Sequence, residues 1–537
     1  MGALNWLFYT GLWSEPIMLY VICKITNFSL KNWNENISTF LIYLIWSFLP
    51  AIYIWNQNSV ARKNGKRKFR ALDAGSYMYD PAYQTSYDKR AKYPEVHKTL
   101  RSKTCEGIVF GKWQGEYVRK DLKEDGHVFV IGGSGSGKSS CLVIPTLLNN
   151  KDISVFAIDI KGELSFKSVA YTDPKTVIFN PNDRNTYGYD PFFRLEEHAS
   201  EQSIMECMQL VAQSLIPMSA DLSDPFWKQS ARTLLTGLLI YYYKAGYTNL
   251  PDICQEILKQ PMQDLIEDIS KKIDTGCLEE YFIKPYKGMA DETLSGISSE
   301  ISLHITLFAT DQNVKYALKE NPIKMHPRML KDGIKMFLSI REDKLTSYYD
   351  VMQLIINQTL AELELRAENA EPVIFIIDEL PRILSQGKIE KLLDAARTLR
   401  SRNVTLFLVT QSIDALMSAY KEAEVDDLIS NCPYTVILSA SSEKTQKKII
   451  AWSGKYKDKK VAYMGAGKGR KSTITFEEKD LVEATELITL PDKNEAILIS
   501  SHGYCRIKKQ PYYKDKIFGE KSKELQNLNK DIMKIRL

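Results

Sequence analysis

The segment Gly132-Gly133-Ser134-Gly135-Ser136-Gly137-Lys138-Ser139 constrains this chain more than any other. It follows the apolar run Val128-Phe129-Val130-Ile131 and leads into Ser140-Cys141-Leu142-Val143-Ile144. Strand, glycine loop and helix in that order make a phosphate-binding loop. The glycines let the backbone curl into a concave nest whose N–H groups point at phosphate oxygens, and the following helix adds the positive end of its dipole. The loop, with Ser140 at the helix start, is expected to line the phosphates. Lys138 would reach the β- and γ-phosphates, and the Ser139 hydroxyl would complete a magnesium shell. The chain is therefore expected to bind ATP with Mg2+.

Residues 371–380, EPVIFIIDEL, place an apolar run directly before Asp378 and Glu379. A continuous β-branched and aromatic run suits a strand buried on both faces of a parallel sheet. Its acidic end would face the phosphate loop, with Asp378 holding the metal and Glu379 polarising an attacking water. The bland alternative, acidic residues capping the next helix, leaves the phosphate loop without a hydrolytic partner. A motor ATPase is the stronger reading.

Further strands are expected at residues 108–111, 116–118, 153–158, 176–179, 336–340, 373–377, 404–410, 435–438 and 496–500, with helices between many of them. This alternation indicates an α/β fold with a mostly parallel sheet. Between residues 196 and 327 the pattern changes: residues 201–216 and 226–244 carry apolar side chains at helical spacing, which predicts an inserted helical domain. Residues 455–471 (KYKDKKVAYMGAGKGRK) are glycine-containing and basic, and are expected to form a flexible loop. Its cations, Lys455, Lys457, Lys459, Lys460, Lys468, Arg470 and Lys471, could follow a nucleic-acid backbone or simply be solvated.

Residues 37–55 (ISTFLIYLIWSFLPAIYIW) carry no charge and suffice in length to cross a bilayer, and Arg62, Lys63, Lys66, Arg67, Lys68 and Arg70 follow. The positive-inside rule then predicts a multi-pass protein of the cell membrane, a second span lying within residues 4–25 and the ATPase domain in the cytoplasm. The expected organisation is an anchor at 1–58, a basic juxtamembrane linker at 59–103 and a first nucleotide-binding part at 104–195. An all-α domain at 196–327, a second nucleotide-binding part at 328–513 and a charged tail at 514–537 complete it. The chain has 537 residues, eight cysteines without a C-x-x-C pair, six histidines without ligand spacing and a net charge of +5. Reduced thiols and no zinc site follow, His127 is expected to be structural, and the mild charge neither demands nor excludes nucleic acid.

Several motifs together resemble the type IV coupling proteins of bacterial conjugation, the TraG/TraD-type ATPases. They are GGSGSGKSSCLVIPTLL from Gly132, IDIKGEL from Ile158, FNPNDRNTYGYDPF from Phe179, DPFWKQSARTLLTGLL from Asp224, ETLSGISSEI from Glu292, FIIDELPRIL from Phe375 and FLVTQS from Phe407. One departure is Ile160, where the family commonly has proline; it should alter a turn and not the chemistry. The resemblance implies a membrane-anchored RecA-like P-loop ATPase that works as a homo-hexamer. Such proteins hand relaxase-bound single-stranded DNA or secreted proteins to type IV secretion channel components. By the same carry-over Gln411 would sense the γ-phosphate. Arg400 would act as an arginine finger in a neighbouring subunit's site, with Arg397 and Arg402 as rivals.

Three rival readings can be weighed. Leu294-Ser295-Gly296 echoes the ABC-transporter signature but lies too far upstream of the Asp378 strand. An FtsK/HerA-like double-stranded DNA translocase would share the motor, yet the residues after Tyr513 are few and charged for a DNA-orienting module. A nucleotide-binding membrane scaffold without significant turnover sits poorly with intact Lys138, Ser139, Asp378 and Glu379.

Overall fold

The computed structural model describes residues 93–150, 152–218, 225–385, 387–464 and 471–536. Its strands are β1 (Arg101–Ser102), β2 (Ile108–Trp113), β3 (Glu116–Lys120), β4 (Val128–Ile131), β5 (Ser154–Asp159), β6 (Thr176–Phe179), β7 (Gly188–Tyr189) and β8 (Lys324–Met325). After them come β9 (Lys335–Ser339), β10 (Val373–Ile377), β11 (Val404–Thr410), β12 (Tyr434–Ile437), β13 (Lys455–Met464), β14 (Lys471–Asp480), β15 (Glu495–Ser500) and β16 (Gly503–Lys508).

Twelve strands form one sheet in the order β1-β3-β2-β16-β15-β12-β4-β11-β10-β5-β9-β6. From β12 to β6 every pairing is parallel. The central strands β4, β5, β10 and β11 are buried at every residue. That is why their sequences run apolar without alternation: helices cover both faces of a parallel sheet. On the other flank β15, β16, β2, β3 and β1 continue the sheet antiparallel. β16 was not foreseen, because Gly503-Tyr504-Cys505-Arg506 lacks a sustained apolar pattern.

Register decides what the sheet presents at its carboxyl edge. Ile131 pairs with Thr410, Leu408 with Ile377, and Ile377 with Ile158. Register therefore levels Gly132 with Gln411 and Asp378 with Asp159, and backbone pairing alone brings all four to the carboxyl edge of the sheet.

The segment between β7 and β8 is helical: Glu201–Leu215, Phe226–Lys244, Leu250–Ile257, Met262–Lys272, Leu278–Ile283 and Asp291–Thr310. It leaves and re-enters through neighbouring strands, since β7 and β8 pair in parallel. Gly237 lets two of its helices meet, because a Cβ there would lie 2.7 Å from Phe282 Cβ.

Two expectations need correction. The basic segment at 455–471 is not a loop throughout. β13 and β14 form an antiparallel ladder in which Lys455 stands opposite Asp480 and Lys457 opposite Glu478. The alternation in Thr473-Ile474-Thr475-Phe476 supplies the second strand. The expectation of a multi-pass membrane protein is also not upheld. Among the described residues no helix is long and apolar enough to cross a membrane; the long helix Lys516–Arg536, for example, is rich in charged residues. The apolar stretches 4–25 and 37–55, on which that expectation stood, lie outside the described residues.

The segment expected as a charged tail contains the helix Lys516–Arg536, and it is tied to the α/β body. Asp515 accepts from Lys112 Nζ at 2.6 Å and from the Tyr117 hydroxyl at 2.9 Å. Asn529 Nδ2 donates to the carbonyls of Phe166 and Val169 at 2.9 and 2.8 Å.

Candidate nucleotide-phosphate site

The chain turns out of β4 at Gly132 and enters a helix whose first turn, Ser139–Val143, is π-type before α-helix Ile144–Asn149 takes over. Gly137 is required at its position. Its φ is +99°, and a Cβ would lie 2.8 Å from Cys141 Sγ. Lys138, with only 6% of its surface exposed, folds back so that Nζ donates to the carbonyls of Gly132 and Gly133 at 2.9 and 3.1 Å. Burial pulls its pKa down, opposed by the nearby Glu379 and Asp378 carboxylates.

Asp378 and Glu379 leave β10 beside this loop. Asp378 Oδ2 accepts from Ser139 Oγ at 2.8 Å, while Oδ1 is buried with no hydrogen-bond partner among the described residues. Desolvation raises the Asp378 carboxyl to about 6. A buried carboxylate oxygen without a donor costs free energy unless a ligand satisfies it. Glu379 has φ +63°, a left-handed conformation costly for a residue with a Cβ. Its Oε2 accepts from Gln411 Nε2 at 3.0 Å, and its Oε1 lies 4.0 Å from Lys138 Nζ.

The donor set suits magnesium. Among the described residues no cluster of three or more His, Cys, Asp or Glu could hold a metal alone. A hard cation bound by one carboxylate and one hydroxyl, with phosphate and water oxygens completing its shell, needs no such cluster. Asp378 and Ser139 are the residues present for that role, and the unpartnered Oδ1 is the atom that fits it.

Asp159, at the end of β5, is fully used by its own turn: it accepts from Leu164 N, Ser165 N and Ser165 Oγ at 3.1, 2.8 and 2.8 Å. The turn at Ile160 is closed by Gly162 N donating to the Asp159 carbonyl at 3.3 Å, so a non-proline there is accommodated. Arg382, one turn beyond Glu379, pairs with Glu342.

The structure does not bring Arg400 to this site. Arg400 lies in the short 3-10 turn Leu399–Arg402 before β11, whereas Gln411 follows the end of that strand. Seven strand residues separate the two by about 20 Å. Arg400 is 61% exposed, 3.8 Å from Asp125. Of its neighbours, Arg397 is engaged with Asp427 at 2.7 Å and Arg402 lies 3.9 Å from Glu368. His127 is indeed structural. It is fully buried, its Nδ1 accepting from Leu406 N at 3.0 Å and its Nε2 donating to the Ala396 carbonyl at 3.1 Å.

Two contacts on the phosphate loop were missed. Gly133 N donates to Ser439 Oγ at 2.9 Å, and Lys509 Nζ donates to the Ser136 carbonyl at 3.0 Å. Each residue follows a strand end, β12 and β16, and neither belongs to a recognisable motif.

Known proteins fit this arrangement. Residues 84–534 match the family described as type IV secretory system conjugative DNA transfer. The chain is 23% identical over 440 residues to protein VirD4 of Agrobacterium fabrum, covering 78% of this chain and 64% of that protein. VirD4 of Rhizobium rhizogenes is 23% identical over 440 residues, with 78% and 63% covered. The chain thus spans less than two thirds of the length of these relatives. The bacterial conjugative coupling protein TrwBΔN70 superposes with a TM-score of 0.61 at 19% identity, over 80% of this chain and 93% of that one. TrwB in complex with ADP and Mg2+ gives a TM-score of 0.59 at 17% identity, over 77% and 91% of the two chains. These likenesses establish a shared fold, and the match over residues 84–534 establishes that the chain belongs to the type IV secretory system conjugative DNA transfer family.

Proposed function

We propose that this protein is a magnesium-dependent ATPase that acts as a coupling protein. It would deliver relaxase-bound single-stranded DNA, or protein substrates, to a type IV secretion channel as a homo-hexameric RecA-like ring. The observation that carries the reading is the buried Asp378 carboxylate beside the phosphate loop: its Oδ2 accepts from Ser139 Oγ at 2.8 Å, and its Oδ1 has no partner among the described residues. TrwB, whose fold this chain shares, has been solved with ADP and Mg2+ and with a non-hydrolysable ATP analogue, which supports the choice of ligand.

When bound, magnesium supplies charge neutralisation at the β- and γ-phosphates. Lys138, whose Nζ donates to the Gly132 and Gly133 carbonyls, would meet the same oxygens. The second oxygen of the Asp378 carboxylate would gain a partner there. Glu379 orients the attacking water and takes up its proton. Gln411 holds the Glu379 carboxylate by its Nε2 donor, so a γ-phosphate that competes for this amide alters the position of the base. Arg400 stands too far from its own phosphate loop to act there, which supports its use by the neighbouring subunit in a ring, where an arginine is worth ~10³–10⁵ in rate. In this reading the helical segment 196–327 is a separate domain that receives substrate, and 104–195 with 328–513 form the motor.

Steady-state phosphate release by the purified protein, with and without single-stranded DNA, tests the proposal. Magnesium-dependent turnover that DNA increases, and that Lys138→Ala abolishes, is the expected result. Turnover unaffected by Lys138→Ala would reject it.

A further inference from the structure

The phosphate loop is braced by a lysine from the far end of the chain. Lys509 follows β16, whose last residue Lys508 pairs with Glu495 of β15. Its backbone is locked in both directions: Lys509 N donates to the Asn494 carbonyl at 3.0 Å, and Asn494 Nδ2 donates to the Lys509 carbonyl at 3.0 Å. The side chain, 4% exposed, runs under the phosphate loop and donates from Nζ to the Ser136 carbonyl at 3.0 Å. Among the described residues no carboxylate lies within ion-pairing distance of this ammonium.

The geometry of one peptide gives that bond a consequence. In a trans peptide the carbonyl of residue 136 and the N–H of residue 137 point in opposite directions. Drawing the Ser136 carbonyl outward turns the Gly137 N–H toward the opposite, concave side, where an anion would sit. The next carbonyl is also fixed, since Cys141 N donates to Gly137 O at 2.8 Å. Gly137, at φ +99°, holds a backbone conformation that glycine takes without the strain a Cβ would add. A buried ammonium held by a single carbonyl is costly in the empty protein. A polyphosphate bound on the other side of the same peptide would offset that cost.

We infer that Lys509 is a positioning residue for nucleotide binding: its bond to Ser136 sets the Ser136–Gly137 peptide so that the Gly137 N–H meets a phosphate, and its charge favours a bound polyphosphate. The inference rests on the proposed binding of ATP. It joins the motor's last sheet strand to the nucleotide, a link absent from every motif in the sequence.

Binding of MgATP, MgADP and adenosine to the purified full chain, measured by calorimetry, tests it together with KM and kcat. Lys509→Met keeps the apolar stem and removes the charge. It should weaken MgATP and MgADP roughly 10-fold or more, the scale of one hydrogen bond to a charged group. Adenosine affinity should not change, and KM should rise far more than kcat falls. Lys509→Arg, which restores a cation, should recover part of the affinity. Should Lys509→Met fail to fold, as judged by its thermal midpoint, Lys509→Gln gives the same readout with a neutral donor. Wild-type affinity for MgATP in a folded Met or Gln variant overturns the inference alone, as does a loss that adenosine shares equally. Failure of the wild type itself to bind MgATP overturns both this inference and the function it rests on.

Discussion

The two ends of β11 treat buried polar groups in opposite ways. At its amino end His127 and Lys120 are both fully buried, and both are satisfied. His127 uses its two ring nitrogens on Leu406 N and Ala396 O. Lys120 Nζ donates to the Asp121 and Glu124 carbonyls and to Thr405 Oγ1. At its carboxyl end Asp378 Oδ1 and Ser136 Oγ are buried without partners among the described residues, and Glu379 holds a left-handed backbone. One end has spent its polar groups on the fold. The other leaves them unspent, at a cost in stability of the kind a binding site carries.

Breaking either end should therefore give opposite signs. The largest effect is expected from Lys138→Ala, which should weaken MgATP by roughly 100-fold, as expected for loss of charge-assisted contacts; calorimetry reads it directly. Next, His127→Leu strands the Leu406 N–H and should destabilise the protein by about 2–3 kcal/mol in urea unfolding. At the carboxyl end Asp378→Asn should do the reverse and stabilise the nucleotide-free protein by about 2 kcal/mol, while removing magnesium-dependent turnover.

The pH dependence carries the same contrast. Burial lowers His127 from 6.5 to about 4, so its contribution is present above 6.5 and lost as pH falls toward about 4. Asp378 is raised from 3.8 to about 6; the folded state then holds the extra proton, and the destabilisation grows as pH rises between those values. The stability gap between Asp378→Asn and wild type should open over that interval and stay constant above it. A gap independent of pH would remove the buried charge as its cause. The smallest effect expected is in mixed rings. Combining Arg400→Ala with Glu379→Gln should restore a fraction of turnover, because some interfaces retain both groups; normal activity of Arg400→Ala alone would remove Arg400 from the site.

Much of this was legible because the relevant signals are local. Val404–Thr410 and Val373–Ile377 are legible to the residue from their runs of β-branched and apolar side chains, and the phosphate loop from its glycines. Lys509 and Ser439 were invisible, since long-range pairing of β16 and β12 alone carries them to the loop. The β13–β14 ladder was missed because lysines and glycines mask its alternation, which is clear only on the return strand. A structural role for His127 is legible in the sequence, but the unsatisfied Oδ1 of Asp378 is visible only in three dimensions.

The proposed chemistry needs Glu379 as the base that acts on water rather than as a phosphate ligand. Single-turnover hydrolysis by Glu379→Gln, run beside MgATP binding by the same preparation, separates the two. The predicted result is wild-type binding with hydrolysis slowed ~10²–10⁴-fold, because an amide cannot accept the proton. Hydrolysis at the wild-type rate by a variant that binds MgATP normally would contradict it.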